Sequence, residues 1–234
     1  MDKSGRGGVE LTSRDYGTAD SHFDQVVMRL GILGGSFDPV HLGHLLLAEQ
    51  CREQCRLDRV LFVPAAIPPH KQRQHLTPAE QRIEMLRLAI GGHPAFAVWS
   101  GEVERGGISY TVETLAQLQQ EREPDEAAPR ELYFLMGADS LADLPNWREP
   151  ARICELAIPV AVRRSGSPEP AWDVLRPWVS AARLSQIRAS QVQIPLIDLS
   201  SRSIRALVAA GASIRYQTPR AVELYIQTHG LYLE

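Results

Sequence analysis

Chemistry is concentrated in Gly34-Gly35-Ser36-Phe37-Asp38-Pro39-Val40-His41-Leu42-Gly43-His44, where two imidazoles three residues apart follow a glycine pair. Residues three apart share a helix face, so His41 and His44 can reach one anion together. Glycines let a backbone approach a ligand closely, and the N–H groups at a helix start favour negative charge. Together these features describe a seat for a polyphosphate. Taken singly, Gly-Gly after a strand is ordinary turn chemistry, and one His near a helix start is a common surface or capping residue. The reading rests on the unbroken combination.

The elements that must position this seat lie on both sides of it. Leu30-Gly31-Ile32-Leu33 predicts a short buried strand, and Pro39 with the run from Val40 to Cys51 predicts a helix with proline in its first turn. Further strands are predicted at 59–63, stopped by Pro64, and at 96–99, 132–136, 158–162 and 193–197. Thr77-Pro78-Ala79-Glu80 reads as a capping box with proline at the first helical position, opening a helix to about Ile90. Helices are also predicted at 111–120, with Leu115 and Leu118 inward, and at 151–156. Another opens at Ser200 or Ser201 and closes at Gly211, and the last runs from Thr218-Pro219 to Gly230. Strands alternating with helices, without an internal repeat, predict an α/β fold with a doubly wound parallel sheet. Such sheets bind ligands beyond the carboxyl ends of their strands, at the switch point.

Four other segments converge on that edge. In Ile67-Pro68-Pro69-His70-Lys71 the proline pair stiffens a loop and fixes Lys71, which is otherwise a solvated surface cation. In Gly107-Ile108-Ser109-Tyr110-Thr111, Thr111 either caps the following helix or presents its hydroxyl to a ligand. Met136-Gly137-Ala138-Asp139-Ser140 offers a carboxylate for ribose hydroxyls or a helix cap, and Trp147 offers a stacking face or a core side chain. Ser200-Ser201-Arg202-Ser203-Ile204-Arg205 is either a second anion site, with hydroxyls and cations within one turn, or a good N-cap.

Composition bounds the alternatives. A chain of 234 residues accommodates one α/β domain. Its net charge of −3 gives no basic field for a nucleic acid polymer, so an anion must be held locally. Cys51, Cys55 and Cys154 form neither a paired framework nor a zinc quartet, which implies a reducing cytoplasm. No apolar run approaches the ~18 residues of a membrane span, and the first residues lack the apolar core of a signal peptide. Residues 1–27 read as a disordered extension, or as a stretch never translated if Met28 is the start. Residues 28–234 then form a single domain.

The segment GSFDPVHLGH resembles the signature of the nucleotidyltransferase superfamily. Together with PPHK, SYTVETL, GADS…LPNW, SSRSIR and the ending 219–232, the chain from about Met28 onward resembles bacterial nicotinate-nucleotide adenylyltransferases. The resemblance implies a Rossmann-like nucleotidyltransferase fold. It implies adenylyl transfer from ATP to nicotinate mononucleotide, giving nicotinate adenine dinucleotide and pyrophosphate in NAD biosynthesis. His41 and His44 would hold the phosphates, with Mg²⁺ carried by ATP and no metal site on the protein. Gly34, Ser36 and Phe37 would line the nucleotide cleft, Asp139 would meet the adenosine ribose, and Ser201 and Arg205 would meet the ATP phosphates. Lys71, Thr111 and Trp147 would bind the acceptor. Arg202 stands where many relatives carry Thr, and it is given no role. The resemblance leaves room for a homo-oligomer.

The acceptor needs no general base, because a phosphate monoester with a second pKa of about 6 is already ionised at pH 7. That fits the absence of a nucleophile elbow around Ser36. Three rivals stand beside this reading. A sister transferase for nicotinamide mononucleotide, phosphopantetheine or a cytidylyl group would share the first box. A dehydrogenase is opposed by Gly31-Ile32-Leu33-Gly34-Gly35, which does not fit Gly-x-Gly-x-x-Gly. A non-catalytic nucleotide-binding module is opposed by the intact histidine pair.

Overall fold

A computed structural model describes residues 27–69, 75–121 and 129–233. In chain order the elements are β1 (Met28–Gly35), α1 (Leu42–Gln54), β2 (Arg59–Pro64), α2 (Ala79–Ile90), β3 (Phe96–Val98) and α3 (Gly101–Arg105). They continue with α4 (Thr111–Gln120), β4 (Arg130–Gly137), α5 (Ala138–Asp143), α6 (Pro150–Leu156) and β5 (Ala157–Arg164). The chain then forms α7 (Ala181–Ala189), β6 (Val192–Ile194), α8 (Ser201–Ala209) and α9 (Arg220–Thr228). The sheet order is β3-β2-β1-β4-β5-β6 and every pairing is parallel, as expected for a doubly wound sheet. Strands are added outward in one direction from β1 to β3 and in the other from β4 to β6, which places the switch point between β1 and β4, beside Gly34 and Gly35.

Parallel strands covered on both faces read as continuous apolar runs, and the central strands do so here. Leu132 to Met136 and Ala157, Ile158, Val160, Ala161 and Val162 are all buried, as are Leu30, Ile32 and Leu33 of β1. α1 lays Ala48 and Cys51 on this core. A Cβ at Gly31 would stand 2.7 Å from Leu57 Cδ1, beyond the end of α1, so that side chain would have to shift to admit it. The three cysteines are buried and unpaired. Among the described residues no helix is long and apolar enough to cross a membrane.

Three helix starts differ from the sequence expectation, for one common reason. Pro39 is not helical, and α1 begins two residues beyond Val40 with His41 as its N-cap. Pro39 is joined to Asp38 by a cis peptide, and the carbonyls of Pro39 and Val40 accept from the side chains of Ser201 and Thr218. Thr77 forms no capping box, because Pro78 is the N-cap of α2 and no side chain caps it. The N–H of Thr77 donates to Asp38 and its carbonyl accepts from Arg82. Thr218 likewise leaves the cap of α9 to Pro219. Distant partners take the groups that a local cap would have used. The short helix α3, and α7 opened by Ser180, are additions to the sequence reading, α5 is capped by Gly137 and not by Asp139, and β6 is shorter than predicted.

Candidate active site

β1 delivers Gly34 and Gly35 to the carboxyl edge of the sheet. A Cβ on Gly34 would meet nothing within 4 Å, so this backbone borders open space. A Cβ on Gly35 would press on the Phe37 ring at 3.1 Å. Phe37 was expected in the cleft, but its side chain is 1% exposed and belongs to the core. The ring packs edge-on against His44, centroids 5.0 Å apart, and against Phe62. Only its backbone could meet a ligand.

The loop that follows is held carbonyl by carbonyl. Gly35 O accepts from Ala65 N–H at 2.9 Å, and Ser36 O accepts from Arg82 Nη1 at 2.8 Å. Asp38 O accepts from Arg205 Nη1 at 2.6 Å, Pro39 O from Ser201 Oγ at 2.8 Å and Val40 O from Thr218 Oγ1 at 2.9 Å. Leu42 N–H donates to Gln217 O at 3.0 Å. Side chains from α2, α8 and the segment before α9 therefore fix the loop that ends at His41 and leads into the first turn of α1, which carries His44. Arg82 and Thr218 were not identified from the sequence. Arg82 is 1% exposed, but on a sequence helix it looks like any surface cation.

His41 and His44 stack with ring centroids 3.7 Å apart. His41 N–H donates to His44 Nδ1 at 3.2 Å, so neutral His44 carries its proton on Nε2. Nδ1 of His41 is buried without a hydrogen-bond partner. A proton there would be an orphaned donor, so this ring also donates from Nε2. Burial holds the His41 pKa down at about 4, and the ring is neutral at pH 7.

Both histidines line a cleft of about 720 Å³ together with Ser36, Gly137, Arg164, Ser201, Arg202 and Arg205. That volume suits a nucleotide-sized ligand. Among the described residues three arginines line it and none of its lining residues is acidic, so its electrostatics favour a polyanion. Arg164 was missed from the sequence, although a cation closing an apolar strand is a readable signal. Arg202, left without a role, lies in the wall. Ser200 is the cap of α8, accepting from Ser203 N–H at 3.1 Å. The Ser201 hydroxyl proton is committed to Pro39, so Ser201 can offer an anion its backbone N–H at the helix start.

A second, smaller cavity of about 150 Å³ is lined by Pro69, Ser109, Tyr110, Thr111, Asn146, Trp147, Arg148 and Ile153. Here the structure brings together two of the three residues expected to bind the acceptor. Thr111 is the first residue of α4 and makes no side-chain cap. Trp147 donates from Nε1 to Asp143 Oδ2 at 3.1 Å and rests edge-on against Phe134. The Arg148 guanidinium lies 4.6 Å over the Tyr110 ring and pairs with Glu113 at 2.8 Å. Lys71 lies outside the described residues. Asp139 is exposed on the first turn of α5, does not cap it, and is not among the residues lining either cavity. Among the described residues no group of three or more His, Cys, Asp or Glu could hold a metal ion.

Residues 32–207 match the cytidylyltransferase-like family. A Thermomicrobium roseum protein named "Probable nicotinate-nucleotide adenylyltransferase" is 48% identical over 204 residues, covering 87% of this chain and 91% of its own. A Thermus thermophilus protein of the same name is 45% identical over 205 residues, covering 88% of this chain and all of its own. Among solved structures, Plasmodium falciparum nicotinic acid mononucleotide adenylyltransferase complexed with NaAD superposes with a TM-score of 0.62 at 17% identity. That match covers 88% of this chain and 100% of the other, and at this identity it shows the shared fold.

Proposed function

The chain belongs to the cytidylyltransferase-like family and, within it, to the nicotinate-nucleotide adenylyltransferases, and from that membership we propose that it transfers the adenylyl group of ATP to nicotinate mononucleotide in NAD biosynthesis. The products are nicotinate adenine dinucleotide and pyrophosphate. The observation that carries the reading is the cleft at the β1/β4 switch point, lined among the described residues by two imidazoles and three arginines and by no carboxylate. The strand order alone would serve a dinucleotide-binding dehydrogenase equally well. The histidine pair, where such an enzyme would have its glycine fingerprint, separates the two.

In this reading a phosphate oxygen of the acceptor attacks the α-phosphorus of ATP in line, and the bond from that phosphorus to the bridging oxygen breaks. Pyrophosphate leaves with the electron pair. The attacking oxygen carries no proton at pH 7, so no base takes one. Catalysis reduces to alignment and to donors aimed at developing charge. His41 and His44 donate from Nε2 to the α-phosphate region, while Arg164, Arg205 and the Ser201 N–H hold the outgoing phosphates. Gly34 and Ser36 supply close backbone at the nucleotide, and Asp139, two residues beyond Gly137 of the cleft wall, would meet the adenosine ribose at the rim. Thr111 and Trp147 hold the pyridine ring, and the charge of Lys71 would neutralise acceptor phosphate. Mg²⁺ enters on the ATP phosphates as part of the substrate and supplies charge neutralisation there.

Pyrophosphate release from Mg·ATP tests this, with nicotinate mononucleotide, nicotinamide mononucleotide or phosphopantetheine as acceptor. The nicotinate compound should be preferred, and His44→Ala should lower turnover by ~10²–10³-fold, as loss of one oxyanion donor does. Release with another acceptor alone would discard the substrate and keep the chemistry.

A further inference from the structure

Asp38 stands in the middle of the phosphate-binding loop with both its side chain and its backbone engaged. Its carboxylate is 2% exposed, with Oδ1 accepting from the Tyr232 hydroxyl at 2.6 Å and Oδ2 accepting from Thr77 N–H at 3.2 Å. Its carbonyl accepts from Arg205. Thr77 in turn gives its carbonyl to Arg82 Nε at 2.8 Å, and the same guanidinium holds Ser36 O. Ser36, Arg82, Thr77, Asp38 and Tyr232 thus form one connected set around the loop.

Tyr232 is the distant member, reaching Asp38 across 194 positions of sequence. The chain turns back after α9 through Gly230, with Leu231 N–H on Ile226 O at 3.0 Å, and Tyr232 takes a left-handed φ of 64°. Residues other than glycine rarely adopt that region and persist in it only where their surroundings hold them. Burial and the neighbouring carboxylate push the Tyr232 pKa well above its ordinary value, so the hydroxyl remains a donor at any working pH.

The loop itself is strained at the residue before Asp38, because Phe37 has a φ of 47°. A strained residue persists only when its surroundings over-determine it. Here Ser36 is held on one side by Arg82, and Asp38 is held on the other by Tyr232 and Thr77. The ring of Phe37 backs His44, so relaxation at Phe37 reaches the imidazole directly.

We infer that Tyr232 is a positioning residue for adenylyl transfer. Through Asp38 it fixes the loop that ends at His41 and sets the first turn of α1 with His44, and with it Arg205, in the geometry the phosphate chain requires. The inference rests on the function proposed above. Tyr232 touches no reacting atom, and its effect falls on alignment, where an error of 1 Å costs on the order of 10²-fold in rate.

The test is Tyr232→Phe, which removes one oxygen and keeps the ring. Turnover should fall about tenfold or more, with KM for ATP and for the acceptor within about twofold, at a temperature where the variant is folded. Asp38→Asn keeps an acceptor for Tyr232 but opposes an amide to Thr77 N–H. It should lose turnover similarly, and the double variant should lose little more than the worse single one. The imidazole NMR resonances of His41 and His44 give a reading independent of turnover and should move in Tyr232→Phe. Unchanged turnover and unchanged histidine resonances, whatever the melting temperature, would overturn the inference, as would multiplicative losses in the double variant. A wild-type chain inactive with every acceptor would overturn the proposed function instead, leaving the resonances to decide the positioning role.

Discussion

Replacing His41 with Gln should flatten the acid limb of the protein's stability curve by an amount that the burial of one ring determines. His41 is 6% exposed and burial holds its pKa at about 4, whereas an unfolded chain titrates it near 6.5. The neutral form is therefore the one the fold accepts. Above pH 6.5 both states are neutral and the ring contributes no pH dependence. As pH falls below 6.5, the unfolded chain binds a proton that the folded one refuses, so stability declines until the folded pKa is passed near 4. The full loss is about 3 kcal/mol, and about 2 kcal/mol of it has accrued by pH 5. Gln carries no proton to exchange, so His41→Gln should lack this slope whatever its stability at pH 7. Every other histidine is present in both proteins. Urea unfolding at pH 7 and pH 5 on both proteins measures the quantity as a difference of differences. Parallel losses in the two proteins would refute the reasoning, because the ring would then be protonated in the fold, and its Nδ1 would carry a proton with no acceptor.

Two further substitutions separate the two cavities. Arg164→Ala should raise KM for ATP about tenfold and weaken inhibition by pyrophosphate, with turnover little changed and the gap narrowing in high salt, because an exposed guanidinium binds phosphate by screened charge. Steady-state kinetics at two ionic strengths would show this, and an effect confined to the acceptor would contradict it. Trp147→Ala should raise KM for nicotinate mononucleotide about tenfold or more and leave KM for ATP unchanged, since it removes an aromatic face from the smaller cavity. A matched rise in both constants would mean that the residue supports the fold rather than the acceptor.

How much of this could be read from the sequence depends on where each partner sits along the chain. The strands announce themselves because a buried parallel strand needs a continuous apolar run, and helix 111–120 does so because Leu115 and Leu118 mark an inward face. The histidines were legible for the same reason, since a glycine turn, a helix start and two imidazoles at helical spacing are local facts. What was not legible is whatever depends on a partner far away in sequence. Nothing near residue 39 says that the carbonyls of Pro39 and Val40 will be taken by Ser201 and Thr218, so the helix was begun too early. Nothing near Phe37 says that its ring will fill the core behind His44. Arg82 and Tyr232 look ordinary in their own segments and become functional only through Ser36 and Asp38. The motif therefore decides which groups face the cleft, while residues scattered from α2 to the end of the chain decide where those groups stand. A chain that kept GSFDPVHLGH but lost the partners of its carbonyls and of Asp38 would still present imidazoles and arginines to ATP. It should bind the nucleotide and transfer it poorly, because attraction to a polyanion survives loose geometry and in-line displacement does not.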